Sequence, residues 1–313
     1  MAAPTCLIID PMHSSLLTML KDIGWEADYQ PAITREEIKS NHQNYQGLIV
    51  RSKTPMDREL LGPNPTLKFI GRAGAGLDNL DLPYLKEKGI QVLHASEGNR
   101  DAVGEHAVGL LLTLMRNISK ADQEVKRFIW EREGNRGTEL MGKTVSIIGY
   151  GNTGQAFAKR LSGFACNVLA YDKYKTNFSD TFSKEAQMET VFNETDILSL
   201  HIPLTAETKS LVDKDYFKRF KKSIILVNTA RGEIVSLPDL DNALADGYLR
   251  GAALDVLENE KLDRFTASQK EVFNSLRERS NVILTPHIAG WTYESHVKIN
   301  VALVQKINAL RLA

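Results

Sequence analysis

The sequence predicts an α/β protein with two doubly wound parallel-sheet domains, and three observations carry this prediction. A glycine-rich segment, residues 149–154, follows an apolar run near the middle of the 313-residue chain. Short apolar runs recur on both sides of it, separated by segments typical of helices and loops, as in parallel sheets. A helical segment remains after the last run. A chain of this length is expected to form about two domains.

The apolar runs fall into two sets. Four precede the glycine segment, at residues 6–10, 47–50, 67–70 and 91–94. Six belong to the second set, at residues 145–148, 167–171, 196–200, 223–227, 251–255 and 281–285. We expect the first set to form one parallel sheet and the second to form a complete dinucleotide-binding sheet.

Two helical segments are predicted to connect these sheets. Residues 101–128 carry apolar side chains at helical spacing, and Asp101 is placed to cap the N-terminus of this helix. We expect it to cross from the first domain to the second. Residues 293–312 are also helical in pattern, and we expect this tail helix to return to the first domain.

The glycine segment has the spacing of a turn that binds a dinucleotide pyrophosphate. It lies between a predicted strand and a predicted helix. The first glycine makes the turn, the second lets the backbone approach the pyrophosphate, and the third lets the helix pack on the strand. These three positions are Gly149, Gly151 and Gly154.

Asp172 supports this assignment and indicates which dinucleotide binds. It ends the next strand, where a carboxylate accepts hydrogen bonds from the ribose hydroxyls and repels a 2′-phosphate. NAD is therefore favoured over NADP. Lys173 and Lys175 nearby leave the alternative open.

Three side chains just past strands of the second set can supply the binding and proton-transfer groups for oxidising a 2-hydroxy acid, with NAD taking the hydride. Arg231 can bind a carboxylate through its two-pronged guanidinium group. His287 can exchange the hydroxyl proton near neutral pH, and Glu260 can orient its imidazole ring. Each residue also has an interpretation without a catalytic role: Arg231 as a surface arginine, His287 as a histidine beside a proline turn and Glu260 as an exposed acidic residue.

Composition excludes several other classes of protein. The 39 basic and 39 acidic residues balance, so nothing indicates binding to nucleic acid or to an anionic membrane. No apolar stretch is long enough to span a bilayer and no leader segment is evident, so we expect a cytoplasmic protein. Cys6 and Cys166 are expected to be free buried thiols, and the histidines form no metal-ligand cluster.

Taken together, these motifs resemble the D-isomer-specific 2-hydroxyacid dehydrogenases along nearly the whole chain. The resemblance rests on the glycine segment with Asp172 and on residues 201–208, 228–232, 255–260 and 286–290. It implies a Rossmann NAD-binding domain, residues 98–285, inserted in a flavodoxin-like substrate-binding domain, residues 1–97 and 286–313. It also implies a homodimer built around the NAD-binding domains.

The resemblance assigns roles to individual residues. The catalytic trio is Arg231, Glu260 and His287. Contacts to the cofactor are implied for Gly149, Gly151, Asn152, Thr153, Gly154, Asp172, His201, Ile202, Pro203, Thr208, Thr229, Ala230, Asp255 and Gly290, with Asp255 on the carboxamide. Asn152, Thr153 and Lys261 depart from the family pattern, which often has arginine, isoleucine and proline there. Despite the lysine at position 261, Glu260 rather than Glu258 is the better match to the catalytic glutamate.

Cations at strand ends of the first domain indicate the kind of substrate. Arg51, Lys53 and Arg72 exceed what a monocarboxylate needs, whereas a phosphate would use them. The glycine-rich stretch 74–76 can present backbone amides to a carboxylate. Similarity to the branch of the family that oxidises 3-phosphoglycerate adds further substrate contacts, and the full set is Arg51, Lys53, Arg72, Ala73, Gly74, Ala75, Asn99 and, from a neighbouring subunit, Arg132.

The sequence thus favours NAD-dependent oxidation of 3-phosphoglycerate to 3-phosphohydroxypyruvate, a reaction of serine biosynthesis. Two alternatives stay open. A hydroxypyruvate or glyoxylate reductase would not need Arg51 and Arg72. An NAD-sensing binding protein or corepressor would use the same scaffold without turnover.

Overall fold

The computed structural model describes residues 3–310, which divide into two compact units. The first unit combines the residues up to Arg100 with those from Trp291 onward, and the second unit is Asp101–Gly290. The boundary between Arg100 and Asp101 lies inside a helix, so a single element begins in one unit and continues in the other.

The first unit contains a five-stranded parallel sheet in the order β2-β1-β3-β4-β5. Its strands are β1 Thr5–Ile8, β2 Glu26–Tyr29, β3 Gly47–Val50, β4 Phe69–Arg72 and β5 Gln91–His94. Its helices are α1 Ser15–Asp22, α2 Arg35–Asn41, α3 Arg58–Leu61, α4 Leu82–Glu87, the start of α5 Ser96–Met115, and α12 Tyr293–Asn308. This strand order is the flavodoxin-like one.

Alternating side chains of the first sheet pack against helices on both faces. Leu7 and Leu48 face a cluster with residues of α2, α3 and α4. Ile8 and Ile49 face a second cluster with α1 and α12. Because successive strand residues point to opposite faces, a strand covered on both sides is apolar throughout.

The second unit contains a seven-stranded sheet in the order β12-β11-β10-β9-β6-β7-β8, and all its strand pairs are parallel. Its strands are β6 Thr144–Ile148, β7 Asn167–Tyr171, β8 Lys184–Glu185, β9 Ile197–Leu200, β10 Ile224–Asn228, β11 Leu249–Leu254 and β12 Val282–Leu284. Its helices are the rest of α5, α6 Ile118–Lys126, α7 Asn152–Leu161, α8 Met188–Glu194, α9 Lys214–Lys218, α10 Leu237–Ala245 and α11 Ala267–Glu278. The order reverses at β6, as in dinucleotide-binding sheets, and ligands bind at such a point. Two clusters of buried side chains cover the two faces.

Two edge strands were absent from the predicted set. β2 is polar and partly exposed, and β8 has only two residues. Edge strands bury little surface, so they do not require an apolar run. β4 lies two residues later than predicted, and Arg72 is its last residue rather than a residue beyond it.

The prediction of one helix over residues 101–128 was wrong. α5 starts at Ser96, so Asp101 lies inside the helix and accepts a hydrogen bond from Arg160 at 3.0 Å instead of capping. The helix ends at Met115, and α6 starts after Asn117, whose φ of 55° is left-handed. Asparagine tolerates that conformation better than most residues, and it interrupts the helix there.

The predicted tail helix is present as α12 and packs against α1, β4 and β5 of the first unit. A Cβ atom on Gly98 in α5 would lie 2.4 Å from the backbone nitrogen of Ile299, so the two helix backbones are in close contact. The predicted end of this helix, Leu312, lies outside the described residues.

Candidate active site

The glycine turn between β6 and α7 separates two kinds of glycine. A Cβ atom on Gly149, whose φ is +93°, would lie 2.7 Å from the carbonyl oxygen of His201. One on Gly154 would lie 2.2 Å from the carbonyl oxygen of Gly149. By contrast, a Cβ atom on Gly151 would meet no atom within 4 Å. The fold itself requires Gly149 and Gly154, whereas the space at Gly151 is open to a ligand.

Asp172 immediately follows β7 and lies beside this turn. Its carboxylate accepts hydrogen bonds from the backbone N–H groups of Tyr150 and Tyr174, both at 3.0 Å. Tyr150 belongs to the glycine turn and is fully buried. The carboxylate is thus held beside the glycine turn at the carboxyl end of β7, and its contact with a ribose stays a prediction.

The two lysines after Asp172 are engaged by protein groups. Lys173 Nζ lies 2.5 Å from a carboxylate oxygen of Glu207. Lys175 Nζ donates to the backbone carbonyl of Tyr150 at 2.7 Å. Both cations that could attract a 2′-phosphate have partners in the protein.

The loop after β9 places His201 against the start of α7. Its Nδ1 lies 3.2 Å from Thr153 Oγ1 and its Nε2 lies 2.9 Å from Ser199 Oγ. Burial lowers the pKa of His201 to about 3, so the imidazole is neutral at physiological pH. His201 thereby links the loop to the glycine turn.

The remaining residues predicted in this loop lie nearby in the chain. Ile202 is half-buried and Pro203 is exposed. The Thr208 hydroxyl donates to the backbone carbonyl of Pro203 at 2.7 Å, so it closes the loop on itself. A contact of Thr208 with the cofactor stays a prediction.

The loop after β10 is shaped by Asn228. Its side chain accepts a hydrogen bond from the Ala230 N–H at 3.0 Å and donates to the Arg231 carbonyl at 3.0 Å. The Arg231 guanidinium donates to the Ala230 carbonyl at 2.7 Å. Thr229 Oγ1 is buried, and within residues 3–310 it has no hydrogen-bond partner. An orphaned buried hydroxyl of this kind indicates a place for a polar ligand.

Gly232 brings this loop against the loop that follows β11. A Cβ atom on Gly232 would lie 1.9 Å from the carbonyl carbon of Leu257. Arg231 therefore lies next to the segment that leads to Glu260.

The pair Glu260 and His287 is the clearest chemical feature of the second unit. His287 Nδ1 lies 2.8 and 3.0 Å from the two carboxylate oxygens of Glu260. Both side chains are partly exposed, at 43% and 47%. Glu260 can therefore orient the ring while Nε2, on its other side, exchanges a proton.

Glu258, the alternative carboxylate in this loop, has a different partner. It accepts a hydrogen bond from the Leu237 N–H at 3.2 Å. Burial raises the pKa of Glu258, and the nearby carboxylates of Glu233 and Asp239 add to the increase. Asn259 bonds through its side chain to the Lys261 N–H at 3.0 Å, which closes a turn where the family often has proline.

Asp255 holds the turn that carries His287. Its backbone carbonyl accepts a hydrogen bond from the His287 N–H at 2.7 Å. Its carboxylate accepts from Thr285 Oγ1 at 2.6 Å, from the Ile288 N–H at 2.9 Å and from the Ala289 N–H at 2.8 Å. Burial alone would raise the pKa of Asp255, but these hydrogen bonds and one from a histidine outweigh it and lower the pKa. A carboxamide contact of this 1% exposed residue stays a prediction.

In the first unit, Arg51 stacks on an aromatic ring. Its backbone N–H donates to the buried Asp10 carboxylate at 2.5 Å, and its guanidinium lies 4.3 Å from the ring centre of Trp291. Burial lowers the pKa of Arg51, and Asp10 opposes that change. The Trp291 ring also contacts His296 edge to face at 4.8 Å. Arg51 is thus held in one orientation by its neighbours.

The other two cations predicted to bind the substrate, Lys53 and Arg72, are engaged by groups of their own unit. Lys53 Nζ donates to the carbonyls of Pro31 at 3.2 Å and Ile33 at 2.9 Å. The Arg72 guanidinium turns back along its own loop, because a Cβ atom on Gly74 would lie 1.7 Å from its Nη1. The space over Gly74, predicted for a substrate carboxylate, is taken by this guanidinium.

The remaining predicted substrate residues are scattered. Ala73 is buried and Ala75 is half-buried in the loop after β4. Asn99 lies in the first part of α5, and its buried Oδ1 has no hydrogen-bond partner within the described chain. Arg132 is exposed between α6 and β6 of the second unit.

Comparison with known proteins identifies the family. Residues 108–289 match the NAD-binding domain of the D-isomer specific 2-hydroxyacid dehydrogenases. This chain belongs to that family. It is 35% identical over 303 residues to D-3-phosphoglycerate dehydrogenase of Archaeoglobus fulgidus, which covers 96% of this chain but only 56% of that protein. It is 37% identical over 260 residues to hydroxypyruvate reductase of Thermotoga maritima, 83% of each chain.

A solved structure of the family agrees in fold. D-lactate dehydrogenase of Aquifex aeolicus, crystallised with NAD and lactic acid, superposes with a TM-score of 0.82 at 27% identity, covering 97% of this chain and 94% of that one. This chain spans about half the length of the phosphoglycerate dehydrogenase relatives that it matches.

The second unit fits the dinucleotide of the 2-hydroxyacid dehydrogenases. The space at Gly151 is open, Asp172 is held beside the turn, and Thr229 has an orphaned buried hydroxyl. No helix within residues 3–310 has the length and apolar character to cross a membrane. That part of the chain also contains no group of three or more His, Cys, Asp or Glu side chains placed to hold a metal ion.

Some neighbours of Arg51 in the first unit were not predicted. Trp291 and His296 flank Arg51, and Asp10 binds the Arg51 backbone. Asp10 ends an apolar run, which is a usable signal because ligands bind beyond strand ends. Trp291 and His296 carry no such signal, since the chain brings them to Arg51 from more than 200 residues away.

Proposed function

We propose that this chain oxidises a 2-hydroxy acid with NAD, and that the substrate is 3-phosphoglycerate. The observation that carries the first part is the pairing of His287 Nδ1 with the Glu260 carboxylate at 2.8 Å in the family's NAD-binding unit. The second part rests on the cations of the first unit and on the names of the relatives.

The roles of the residues follow from their chemistry. Arg231 binds the substrate carboxylate through its guanidinium group. His287 Nε2 accepts the hydroxyl proton, and the Glu260 carboxylate stabilises the resulting imidazolium. Bound NAD supplies the hydride acceptor. In the reverse direction His287 returns the proton to the oxygen atom.

The NAD-binding domain is proposed as residues 98–285 and the substrate-binding domain as residues 1–97 and 286–313. The second unit extends to Gly290, so His287 lies in the NAD-binding unit. Gly151, Asp172 and Thr229 are proposed to contact the dinucleotide. In the first unit, Arg51 and Arg72 are proposed to bind the substrate phosphate.

A hydroxypyruvate reductase is the second candidate. The Thermotoga maritima relative has that name and matches over 83% of each chain. The hydrogen bonds of Lys53 and the position of Arg72 also favour a hydroxypyruvate reductase, because a phosphate would have to draw the Arg72 guanidinium away from Gly74.

NADH oxidation with three acceptors separates these functions. Phosphohydroxypyruvate should give the highest kcat/KM among phosphohydroxypyruvate, hydroxypyruvate and glyoxylate. Because a charged hydrogen bond is lost, Arg72→Ala should lower kcat/KM for phosphohydroxypyruvate by ~10- to 100-fold and leave glyoxylate nearly unchanged. Lys68→Ala, an exposed lysine at the other end of β4, is the control for the loss of one charge.

Other outcomes point elsewhere. Equal turnover of hydroxypyruvate and phosphohydroxypyruvate, unaltered by Arg72→Ala, would support the reductase. NADH binding without turnover of any 2-oxo acid would support an NAD-sensing protein.

We also propose a homodimer through the second unit, with exposed apolar side chains of the segment after α6 at its interface. Phe128 is 100% exposed, Trp130 81% and Met141 66%. Phe128 also has a left-handed φ of 63°, and no residue of α6 is buried. Apolar side chains this exposed mark contact surfaces, and a second copy would cover them.

A further inference from the structure

The backbone at His287 has an unfavourable conformation that other groups must hold. Its φ of 54° lies in the left-handed region, which costs energy for any residue with a side chain. Such strain persists only where the surroundings over-determine it. The groups that hold this turn therefore also decide where the His287 ring points.

Asp255 is the immediate holder of the turn, and Thr285 is part of the arrangement. Thr285 Oγ1 lies 2.6 Å from an Asp255 carboxylate oxygen. A hydroxyl carries one proton, and a carboxylate can only accept, so Thr285 donates to Asp255. The lone pairs of Thr285 Oγ1 remain available to accept a hydrogen bond.

His106 fills that acceptor position. It lies on α5, and its Nε2 is 3.2 Å from Thr285 Oγ1 and 3.4 Å from the same Asp255 oxygen. With its proton donated to Asp255, Thr285 can only accept from His106. The direction of the chain is thus fixed: His106 Nε2–H donates to Thr285, and Thr285 donates to Asp255.

The geometry points to His106 as a positioning residue for His287. His106 donates to Thr285 and to the Asp255 carboxylate and so fixes the position of Asp255. Asp255 in turn binds the backbone N–H groups of residues 287–289, where the left-handed turn lies. This inference rests on the proposed role of His287 in proton exchange. Glu260 acts on the ring of His287, whereas His106 acts through Thr285 and Asp255 on its backbone.

The competing interpretation is that His106 only fills space on α5. An aromatic ring without the N–H group would then serve equally well. Its side chain is 22% exposed, so the site has room for substitution. Four variants distinguish the two interpretations.

His106→Phe keeps a ring and removes the donor, and His106→Gln restores an N–H group near the Nε2 position. Thr285→Val removes the hydroxyl at nearly constant volume. Glu105→Gln is the matched control, because it alters the adjacent, exposed residue of the same helix. All four are measured in the full chain for kcat and KM with whichever 2-oxo acid is reduced fastest, for NADH affinity, and for thermal unfolding.

We expect His106→Phe and Thr285→Val each to lower kcat by ~10- to 100-fold, with KM and NADH affinity changed by no more than about threefold. His106→Gln should recover most of the rate. The variant that combines His106→Phe with Thr285→Val should be no slower than the slower of these two single variants, because both residues act through one chain of hydrogen bonds. Glu105→Gln should match the wild type.

A readout that needs no substrate separates this inference from the proposed function. The imidazole resonances of His287, assigned with His287→Ala, should shift in His106→Phe and return in His106→Gln. The resonance shifts test the role of His106 even if no 2-oxo acid is turned over. Absence of turnover would contradict only the proposed function.

Three results would overturn the inference. One is an unchanged kcat and unchanged His287 resonances in His106→Phe. Another is a rate loss that follows a loss of thermal stability and is not rescued by glutamine. The third is full activity in Thr285→Val.

Discussion

At the scale of single residues, two glutamates in one loop have different partners. Glu260 contacts His287, whereas Glu258 bonds to the backbone of Leu237. The resemblance to the family already favoured Glu260 in the sequence, although the family's proline is absent after both. The contact with His287 adds a physical reason for that choice, and it depends on a turn 27 residues further along the chain.

Because the partners differ, replacing each glutamate with glutamine should change kcat by different amounts. Glu260→Gln removes the charge that stabilises the His287 cation, so kcat should fall by ~10- to 100-fold. Glu258→Gln should leave kcat within about threefold, because it touches no reacting group. Steady-state kinetics of both variants measures this. A larger loss in Glu258→Gln would assign the catalytic carboxylate to that residue.

The lowered pKa of His201 predicts that the free energy of unfolding depends on pH. Its pKa in the folded chain is about 3, below its ordinary value of 6.5. Between these values the unfolded chain binds a proton that the folded chain does not. The stabilisation is therefore present above pH 6.5 and is lost as the pH falls toward 3.

From pH 7 to pH 5, His201 should cost the folded chain ~2 kcal/mol of unfolding free energy. His201→Asn should lack this part of the loss and keep the contact to Thr153. Urea unfolding of both proteins at the two pH values tests it, and the other titrating groups cancel in the difference. Parallel losses in the two proteins would mean that His201 is protonated in the folded state.

At the scale of elements, the glycine turn shows which glycine serves the fold and which serves the ligand. The spacing of the motif alone assigns roles by analogy with other dinucleotide sites. The structure adds that Gly154 contacts backbone, whereas Gly151 faces open space.

Gly151→Ala should therefore fold with an unchanged unfolding midpoint, because its extended backbone suits alanine and no atom obstructs the methyl group. Its NADH affinity should fall by ~10-fold or more, since the methyl group occupies the space for the pyrophosphate. Fluorescence titration with NADH measures the affinity.

Gly154→Ala is the matched comparison. It should lose ~1–3 kcal/mol of stability from overpacking against the backbone of Gly149. Tight NADH binding by Gly151→Ala would show that the pyrophosphate lies elsewhere.

The features that the sequence did not predict have two physical causes. β2 and β8 lie at sheet edges, and their pairing needs a neighbouring strand rather than an apolar run. The break between α5 and α6 depends on one left-handed residue, Asn117, in an otherwise helical pattern. Central strands were predicted because burial on both faces leaves a continuous apolar signature.

At the scale of the whole molecule, the exposed apolar side chains after α6 predict self-association. Sedimentation equilibrium should give twice the mass of the chain. Phe128→Asp combined with Trp130→Asp should give the mass of one chain, because two charges would have to be buried without partners. Tyr174→Asp, at a side chain that is 80% exposed in the same unit, is the control. A monomeric wild type would refute the proposal.

The two parallel sheets, the dinucleotide turn and the charged residues beyond the strand ends could be predicted from the amino-acid sequence alone. These features are local: strand burial, glycine conformations and strand-end positions are written in short stretches of chain. The tertiary structure showed that Glu258 bonds to the backbone of Leu237, that Lys53 and Arg72 are engaged by backbone groups, and that His106 reaches Thr285. Those outcomes depend on which side chains meet across distant parts of the chain, and no local pattern contains that information.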